Sequence, residues 1–247
     1  MLLEVESLAK YFDGFPAVSG ASLKVEAGEI VGLIGPNGAG KSTFFNCVAG
    51  DLPPSAGRIA FDGVDVTHAA PETHARLGIG RTFQVPTTFE DLTILENVMV
   101  GAFLRHRHER DARAEAQRVL ALTGLEGQAG QKARSLGTPG RKRLEIARVL
   151  ATSPRLMLLD EALAGLNPTE VVAAMELVRK IHGLGITIVI VEHIMEVIMT
   201  LAQRVIVFNH GQIIAEGAPA DVVNDPAVID AYLGRAHARL ARHGAGT

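Results

Sequence analysis

The sequence is poor in aromatic residues and cysteine: among 247 residues there is no tryptophan, and there are only two tyrosines and one cysteine. Single-stranded nucleic acids are bound largely by aromatic stacking and by an excess of basic residues. With few rings and a formal net charge of −3, the chain is not expected to bind nucleic acid. Its one cysteine, Cys47, cannot form a disulfide within the chain, so we expect it to pack as a small apolar side chain in a reducing compartment.

Long hydrophobic runs are also missing. Apolar runs such as Ile188-Val189-Ile190-Val191 fall far short of the ~18 residues that a membrane-spanning helix needs. The first residues, 1–4, lack the basic region and the long apolar segment of a secretory signal. We therefore expect a chain that is neither secreted nor membrane-spanning. Its 47% hydrophobic content suits an α/β domain whose sheet is buried on both faces.

One glycine-rich segment follows the apolar run at 30–34 and precedes a stretch that is compatible with a helix. This segment reads Gly35-Pro36-Asn37-Gly38-Ala39-Gly40-Lys41-Ser42-Thr43. Its three glycines allow main-chain N–H groups to turn inward around a phosphate, and the following helix contributes its positive N-terminus. Lys41 is suited to reach the β- and γ-phosphates, and the Ser42 hydroxyl to hold a Mg²⁺ that bridges them. The segment predicts binding of a nucleoside triphosphate.

Two carboxylates, Asp160 and Glu161, end the apolar strand predicted from residue 156. Asp160 is suited to hold the Mg²⁺ through water, whereas Glu161, which faces differently, is suited to polarise the attacking water. An acidic pair at a helix N-terminus is the structural alternative.

Gln84 ends a short strand predicted at 78–84, and His193 follows a strand predicted at 186–191. The Gln84 amide is suited to bind Mg²⁺ through its oxygen and to orient the attacking water, although an ordinary loop amide is also possible. His193 is placed to contact the γ-phosphate, although a single histidine is more often structural.

An aromatic pair, Tyr11-Phe12, lies near a turn among the antiparallel strands that alternation predicts within residues 2–30. A purine needs only an aromatic face and apolar area, and Phe12 is the better candidate for stacking on adenine. Aromatic pairs are also common in protein cores, and that interpretation stays open for Tyr11.

Residues 92–150 have helical periodicity, which predicts a helix-rich insert between strands. Within it, Thr138-Pro139 predicts a helix start with Thr138 as N-cap and Pro139 at the first helical position.

The ordered motifs resemble those of ABC-type ATPase subunits over essentially the whole chain. The matching segments are 35–43 (Walker A), Gln84 (Q-loop), 158–161 (Walker B), 164–167 (D-loop) and His193 (H-switch). The resemblance implies an α/β P-loop NTPase fold with a RecA-like parallel core sheet, an antiparallel β subdomain and a helical subdomain. It implies an ATP-binding core with the β subdomain at 1–85 and 151–235, a helical subdomain with the signature at 86–150, and a C-terminal tail at 236–247.

Four shorter segments resemble LivG-type ATPases of branched-chain amino-acid importers: 80–84, 143–148, 164–168 and 224–234. The resemblance implies ATP hydrolysis that powers uptake of branched-chain amino acids or a related small polar solute. Urea importers, aromatic-acid importers and lipopolysaccharide-export ATPases share part of these motifs and remain alternatives.

The resemblance also implies the cofactors ATP and Mg²⁺ and a role for each candidate residue. The nucleotide-binding set is Phe12, Gly35, Asn37, Gly38, Ala39, Gly40, Lys41, Ser42, Thr43 and Asp160. The metal set is Ser42, Gln84 and, through water, Asp160. The catalytic set is Glu161, His193 and Gln84.

The implied partners are a second ABC ATPase subunit, with a heterodimer favoured over a homodimer, and two integral-membrane permease subunits. A periplasmic solute-binding protein completes the implied system. The chain would then be cytoplasmic and peripheral on the inner face of the membrane.

The chain departs from the family at the signature, where Leu136-Gly137-Thr138-Pro139-Gly140 stands in place of the usual Leu-Ser-Gly-Gly-Gln. It lacks the serine hydroxyl, and a proline without an N–H occupies the second glycine position. Ala162 replaces a common proline, and Asn167 replaces the usual D-loop aspartate. Because the signature completes the partner's ATP site, we expect that site to be weakened and this chain's own site to do most of the hydrolysis.

Two other classes of protein share the phosphate loop. A soluble ABC ATPase of DNA repair or ribosome function usually has two cassettes or a long coiled coil, but only about 50 residues separate Gln84 from the signature. A P-loop kinase would not explain the acidic pair at 160–161 followed by the D-loop motif and His193. The sequence favours a transport ATPase.

Overall fold

The structure, a computed structural model, describes residues 1–232. The strands are β1 (Leu3–Phe12), β2 (Phe15–Val25), β3 (Ile30–Ile34), β4 (Ala56–Phe61), β5 (Val64–Asp65), β6 (Ile79–Arg81), β7 (Leu156–Asp160), β8 (Thr187–Val191), β9 (Arg204–Asn209) and β10 (Gln212–Gly217). The α-helices are α1 (Lys41–Val48), α2 (Pro71–Leu77), α3 (Ile94–Ala102), α4 (Glu109–Thr123), α5 (Thr138–Leu150), α6 (Pro168–His182), α7 (Met195–Leu201) and α8 (Pro219–Val222). Residues 226–232 are also helical. The C-terminal tail predicted at 236–247 lies outside the described residues.

The described chain forms two compact units. Unit 1 comprises residues 1–26, 30–68 and 191–232, and unit 2 comprises residues 27–29 and 69–190.

Unit 1 contains an antiparallel sheet of order β2-β1-β4-β5. Its β1–β2 hairpin turns at Asp13 and Gly14, both with positive φ, a conformation that suits the right-handed twist of the strands and that Asp-Gly adopts readily. Along β1 the apolar Leu3 and Val5 are buried while Glu6 is exposed, as expected for a sheet with one packed face. The antiparallel strands predicted within residues 2–30 are confirmed.

Unit 1 also contains β3, whose five residues are all buried, with β9 parallel to it and β10 antiparallel to β9. The β9–β10 turn has positive φ at His210 and Gly211, and the two strands form an antiparallel hairpin. Cys47 lies on α1 and is 1% exposed, and burial raises the pKa of its thiol to about 11. The predicted packing of this thiol as an apolar side chain is confirmed.

Unit 2 contains strands in the order β8-β7-β6, with β6 parallel to β7. All five residues of β7 are buried, as expected for a parallel strand covered on both faces. Helices α3, α4 and α5 pack on one another through buried side chains, including Val98, Ala116 and Leu144, which confirms the predicted helix-rich insert. The parallel pairs and their covering helices place the chain in the α/β class.

Helix starts in unit 2 follow local capping rules. Thr93 caps α3 with Glu96 in a reciprocal capping box, and Asn167 caps α6 with Glu170 in the same way, with Pro168 next to the cap. In the part of the chain that the structure describes, no helix combines the length and apolar character needed to cross a bilayer.

Candidate functional site

The phosphate loop connects β3 to α1 in unit 1, as the sequence predicts. Gly40 has φ +103 and is the N-cap of α1; a Cβ there would collide with the carbonyl oxygen of Ala17. Gly35 has φ +149, and a Cβ there would collide with the carbonyl oxygen of Phe208. Two loop positions therefore require glycine both for backbone conformation and for space.

Lys41 is the first residue of α1, and it is 6% exposed. Its ammonium group donates hydrogen bonds to the carbonyl oxygens of Gly35 at 2.6 Å and Pro36 at 3.1 Å. The loop thus holds a buried cation against its own main chain, next to the helix N-terminus. A negatively charged ligand at this helix start would interact favourably with both the ammonium group and the positive end of α1.

The N-terminus of α1 fits a phosphate group for a second reason. Its N-cap, Gly40, has no side chain with which to satisfy the first N–H groups of the helix, and no side-chain cap is present. Ser42 follows Lys41 on the exposed side of this first turn. The exposed hydroxyl is the kind of oxygen ligand that Mg²⁺ accepts alongside phosphate oxygens.

Asp160 ends β7 in unit 2, and its residue is 4% exposed. Its carboxylate accepts a hydrogen bond from the Arg81 guanidinium at 3.3 Å, and its main-chain N–H donates to the Thr82 hydroxyl at 3.2 Å. Arg81 also lies over the Phe83 ring, 4.8 Å from its centroid. The carboxylate is therefore held by a partly buried counter-charge, which suits a role through metal-bound water better than tight direct binding of a cation.

Glu161 and Gln84 are brought together in unit 2. Gln84 Nε2 donates to Glu161 Oε2 at 2.8 Å. Glu161 has φ +48, a conformation that is uncommon for residues with a side chain, and it is partly exposed whereas Asp160 is buried. The acidic pair therefore does not cap a helix, because α6 begins only at Pro168.

The signature helix α5 begins at Thr138, so the predicted helix start is present but the predicted N-cap is wrong. Gly137 is the N-cap, in an extended conformation, and no side chain caps the helix. The N–H groups of the first helical turn have no partner within the helix, so a proline there costs no helical hydrogen bond. The helix therefore tolerates Pro139 at its second position, whereas we expected it at the first. The helix consequently begins one residue earlier than predicted.

Tyr11 and Phe12 lie at the end of β1, and each is 46% exposed. The core interpretation of Tyr11 is therefore wrong. Phe12 pairs with Phe15 across the hairpin, and Lys10 Nζ lies 5.4 Å from the centroid of its ring. Half of the Phe12 surface remains available, as stacking on a base requires.

His193 is exposed and lies between β8 and α7 in unit 1, two residues after β8 ends. This position agrees with the predicted location at the end of a strand. Its contact with a γ-phosphate stays a prediction.

Sequence reasoning missed three side chains that contact the candidate site or the chain next to it in unit 2: Arg81, which pairs with Asp160, and Lys142 and Glu145 on α5. Arg81 and Asp160 are 79 residues apart, so no local sequence pattern predicts their contact. Lys142 and Glu145 are buried polar residues, at 7% and 3% exposure, in a helix that also buries Leu144, Ile146 and Ala147. Charged residues at i and i+3 within such an apolar helical stretch are the sequence pattern that could have indicated these two buried polar side chains.

A glycine loop between a buried strand and a helix, a buried lysine at that helix start and a buried acidic strand end define a P-loop nucleotide-binding protein. The sequence profile of the ABC transporter family matches residues 18–164. A second profile, for branched-chain amino acid ATP-binding cassette transporters, matches residues 212–238.

Curated relatives cover nearly the whole chain. The high-affinity branched-chain amino acid transport ATP-binding protein BraF of Pseudomonas aeruginosa is 37% identical over 95% of this chain and 98% of its own length. The corresponding LivG protein of Escherichia coli K12 is 36% identical over the same shares, 95% and 98%.

Solved structures agree with these relatives. A nucleotide-free ATP-binding cassette from an ABC transporter matches with a TM-score of 0.85 at 31% identity, covering 94% of this chain and 98% of that one. The ADP conformation of another such cassette matches with a TM-score of 0.86 at 32% identity, covering 94% and 98%. The chain belongs to the ABC transporter family of ATP-binding cassettes, and both the predicted P-loop NTPase fold and the LivG-type resemblance are confirmed.

Proposed function

We propose that this chain is the ATP-binding and ATP-hydrolysing subunit of an importer for branched-chain amino acids or a related small polar solute. The observation that supports ATP chemistry is the buried Lys41 ammonium, held on the loop carbonyls at the uncapped N-terminus of α1. The support for the solute is the branched-chain profile at 212–238, together with the names of the relatives.

The phosphate loop supplies the binding half of the proposed reaction. The main-chain N–H groups at 37–43 and the Lys41 ammonium hold the triphosphate, and Phe12 stacks on the adenine. By the family resemblance, Ser42, Gln84 and, through water, Asp160 would hold Mg²⁺, and the ion would supply positive charge that offsets the charge of the phosphates.

Glu161 and Gln84 supply the hydrolytic half. Glu161 polarises the attacking water as it takes up a proton, and Gln84, whose amide donates to that carboxylate, orients both. His193 contacts the γ-phosphate from the end of β8. These roles follow the order of the family motifs, with the ATP-binding core at 1–85 and 151–235 and the helical subdomain at 86–150.

The proposed complex contains a second, different ATPase subunit, two integral-membrane permease subunits and a periplasmic solute-binding protein. This chain would lie on the cytoplasmic face of the membrane, attached through the permeases.

Reconstitution in proteoliposomes tests this proposal. We expect ATP hydrolysis and uptake of leucine, isoleucine or valine, both stimulated by the liganded binding protein and both lost in Glu161→Gln. Stimulation by urea, an aromatic acid or lipopolysaccharide instead would assign the chain to one of those systems. ATP hydrolysis that responds to no permease complex would contradict a transport role.

A further inference from the structure

The segment 143–148, Arg-Leu-Glu-Ile-Ala-Arg, contributed to the family resemblance, yet none of the roles above uses it. In the structure it lies on α5, where Lys142, Glu145 and Arg148 follow one another at intervals of three residues. Side chains at i and i+3 are neighbours on a helix surface. These three polar side chains therefore form one stripe along α5, and each of them bonds to main chain outside the helix.

Lys142 bonds to the main chain at the proposed catalytic glutamate. Its ammonium group is buried and donates to the carbonyl oxygen of Glu161 at 2.9 Å. Glu161 occupies the left-handed region with φ +48, which persists in a non-glycine residue only where its surroundings stabilise it. A charge-assisted hydrogen bond to this carbonyl is a direct way to stabilise that turn.

Glu145, one turn further along α5, bonds to the main chain next to Gln84. Its carboxylate accepts a hydrogen bond from the Phe83 N–H at 3.0 Å, and burial raises the pKa of this carboxyl group. Arg148 donates to the Thr87 carbonyl oxygen at 2.6 Å, on the other side of Gln84. The loop that contains Gln84 is thus attached to α5 before and after the glutamine.

Lys142 and Glu145 therefore hold the two chain segments that the Gln84–Glu161 hydrogen bond joins. We propose that Lys142 and Glu145 are positioning residues for ATP hydrolysis, which fix the main chain on both sides of the Gln84–Glu161 pair. The proposal rests on the proposed ATPase function. It makes α5 both the helix that presents the unusual signature and the helix that sets the geometry of this chain's own catalytic pair.

Steady-state kinetics of the full chain, in the assembly in which the wild type hydrolyses ATP, test the role of Lys142. We expect Lys142→Met to lower kcat at least tenfold while the Kd for a fluorescent ATP analogue changes less than twofold. Lys142→Arg keeps a cationic donor and should recover most of the turnover. Arg143→Met is the matched control, because it removes the same charge from the next residue of α5.

A kcat for Lys142→Met equal to that of Arg143→Met would overturn the proposal. So would a loss of nucleotide affinity in proportion to the loss of kcat, because that pattern indicates a merely structural role. A wild-type assembly that does not hydrolyse ATP would instead contradict the proposed function.

A fluorescence experiment tests Glu145 without an activity assay. Since the chain has no tryptophan, Phe83→Trp introduces a single reporter whose main-chain N–H is still available to Glu145. In that background Glu145→Leu should raise the acrylamide quenching constant about twofold, because the loop loses its acceptor. Glu145→Gln keeps an amide oxygen as acceptor and should leave quenching near the parent value. Equal quenching in all three proteins, with equal melting temperatures, would overturn the role of Glu145.

Discussion

The side chains of Gln84 and Glu161 are 77 residues apart in the sequence and are joined by a hydrogen bond of 2.8 Å, with the amide nitrogen as donor. The glutamine is exposed and the glutamate is partly buried, so the carboxylate lies at a solvent-accessible position where water can reach it. This contact orients the group that the proposed reaction uses to polarise water.

We predict that Gln84→Ala lowers kcat at least tenfold and that Gln84→Glu lowers it further. Alanine removes the donor, whereas glutamate places a second carboxylate against Glu161, and like charges at hydrogen-bond distance repel. ATPase assays at saturating nucleotide measure the difference. Gln117→Glu, the same substitution on the exposed face of α4, is the control and should retain wild-type turnover; equal rates for all variants would refute the role of the pair.

Substitutions of Lys41 and Glu161 should affect ATP binding and ATP hydrolysis separately. Lys41→Ala removes the buried cation at the phosphate loop and should abolish measurable ATP binding, while Glu161→Gln keeps binding and stops hydrolysis. Calorimetric titration with ATP and a phosphate-release assay read the two effects. A Glu161→Gln enzyme with the wild-type steady-state rate would show that another group polarises the water.

Phe12 and Tyr11 are equally exposed, so a direct comparison can decide which ring stacks on adenine. Loss of a stacking partner costs about 1 kcal/mol, so Phe12→Ala should weaken ATP binding several-fold. Phe12→Tyr should have little effect, and Tyr11→Ala serves as the matched control. Weaker binding in Tyr11→Ala together with unchanged binding in Phe12→Ala would assign the stacking to the other ring.

The features that the sequence predicted well are those that consecutive residues encode. The phosphate loop, the turn near Tyr11-Phe12 and the buried strand ending at Asp160 each depend on local backbone preference and local hydrophobicity. The capping box of Asn167 and Glu170 is equally local. The order Asn-Pro-x-Glu indicates a helix start at this point, although we did not predict one there.

The contacts that the sequence did not predict join distant segments. Arg81 reaches Asp160, and Lys142 reaches the main chain of Glu161, only because the fold packs β6, β7 and α5 together. The error at Thr138 has a different cause. Proline fits more than one position in the first turn, so the sequence allowed two helix starts one residue apart.

Cys47 provides a probe of the helix that follows the phosphate loop. With burial and a pKa of about 11, its thiolate fraction at pH 8 is on the order of 0.1%, against roughly a quarter for an exposed thiol. Labelling with a thiol-reactive disulfide should be at least 100-fold slower in native than in urea-unfolded protein. Raising the pH from 8 to 9 should speed labelling of the native protein about tenfold, because the thiolate population rises tenfold at each pH unit below the pKa. Rapid labelling of the native protein at pH 8 would contradict the packing of α1.

The signature segment predicts unequal ATP sites in the proposed heterodimer. Helix α5 begins at Thr138 with Gly137 as N-cap, so its positive end is intact and its first N–H groups are not capped by a side chain. Compared with Leu-Ser-Gly-Gly-Gln, the segment has lost a hydroxyl at position 137 and an N–H at Pro139, contacts to a charged acceptor worth about 1–3 kcal/mol each. The Thr138 hydroxyl does not cap the helix and is therefore the group able to replace one of them.

In the head-to-tail arrangement that the family resemblance implies, this signature faces the partner's nucleotide, while Lys41, Asp160, Glu161 and His193 are completed by the partner's signature. The weakened site is therefore the partner's, and this chain's own residues should carry most of the turnover. In the reconstituted complex we expect Glu161→Gln to depress hydrolysis far more than the equivalent substitution in the partner. The double substitution Thr138→Gly and Pro139→Gly restores the two glycines that are usual in the family. It should raise the share of ATP hydrolysis that the partner's site carries out. Equal losses from the two glutamate substitutions, or an active homodimer of this chain with two equivalent sites, would rule out the asymmetry.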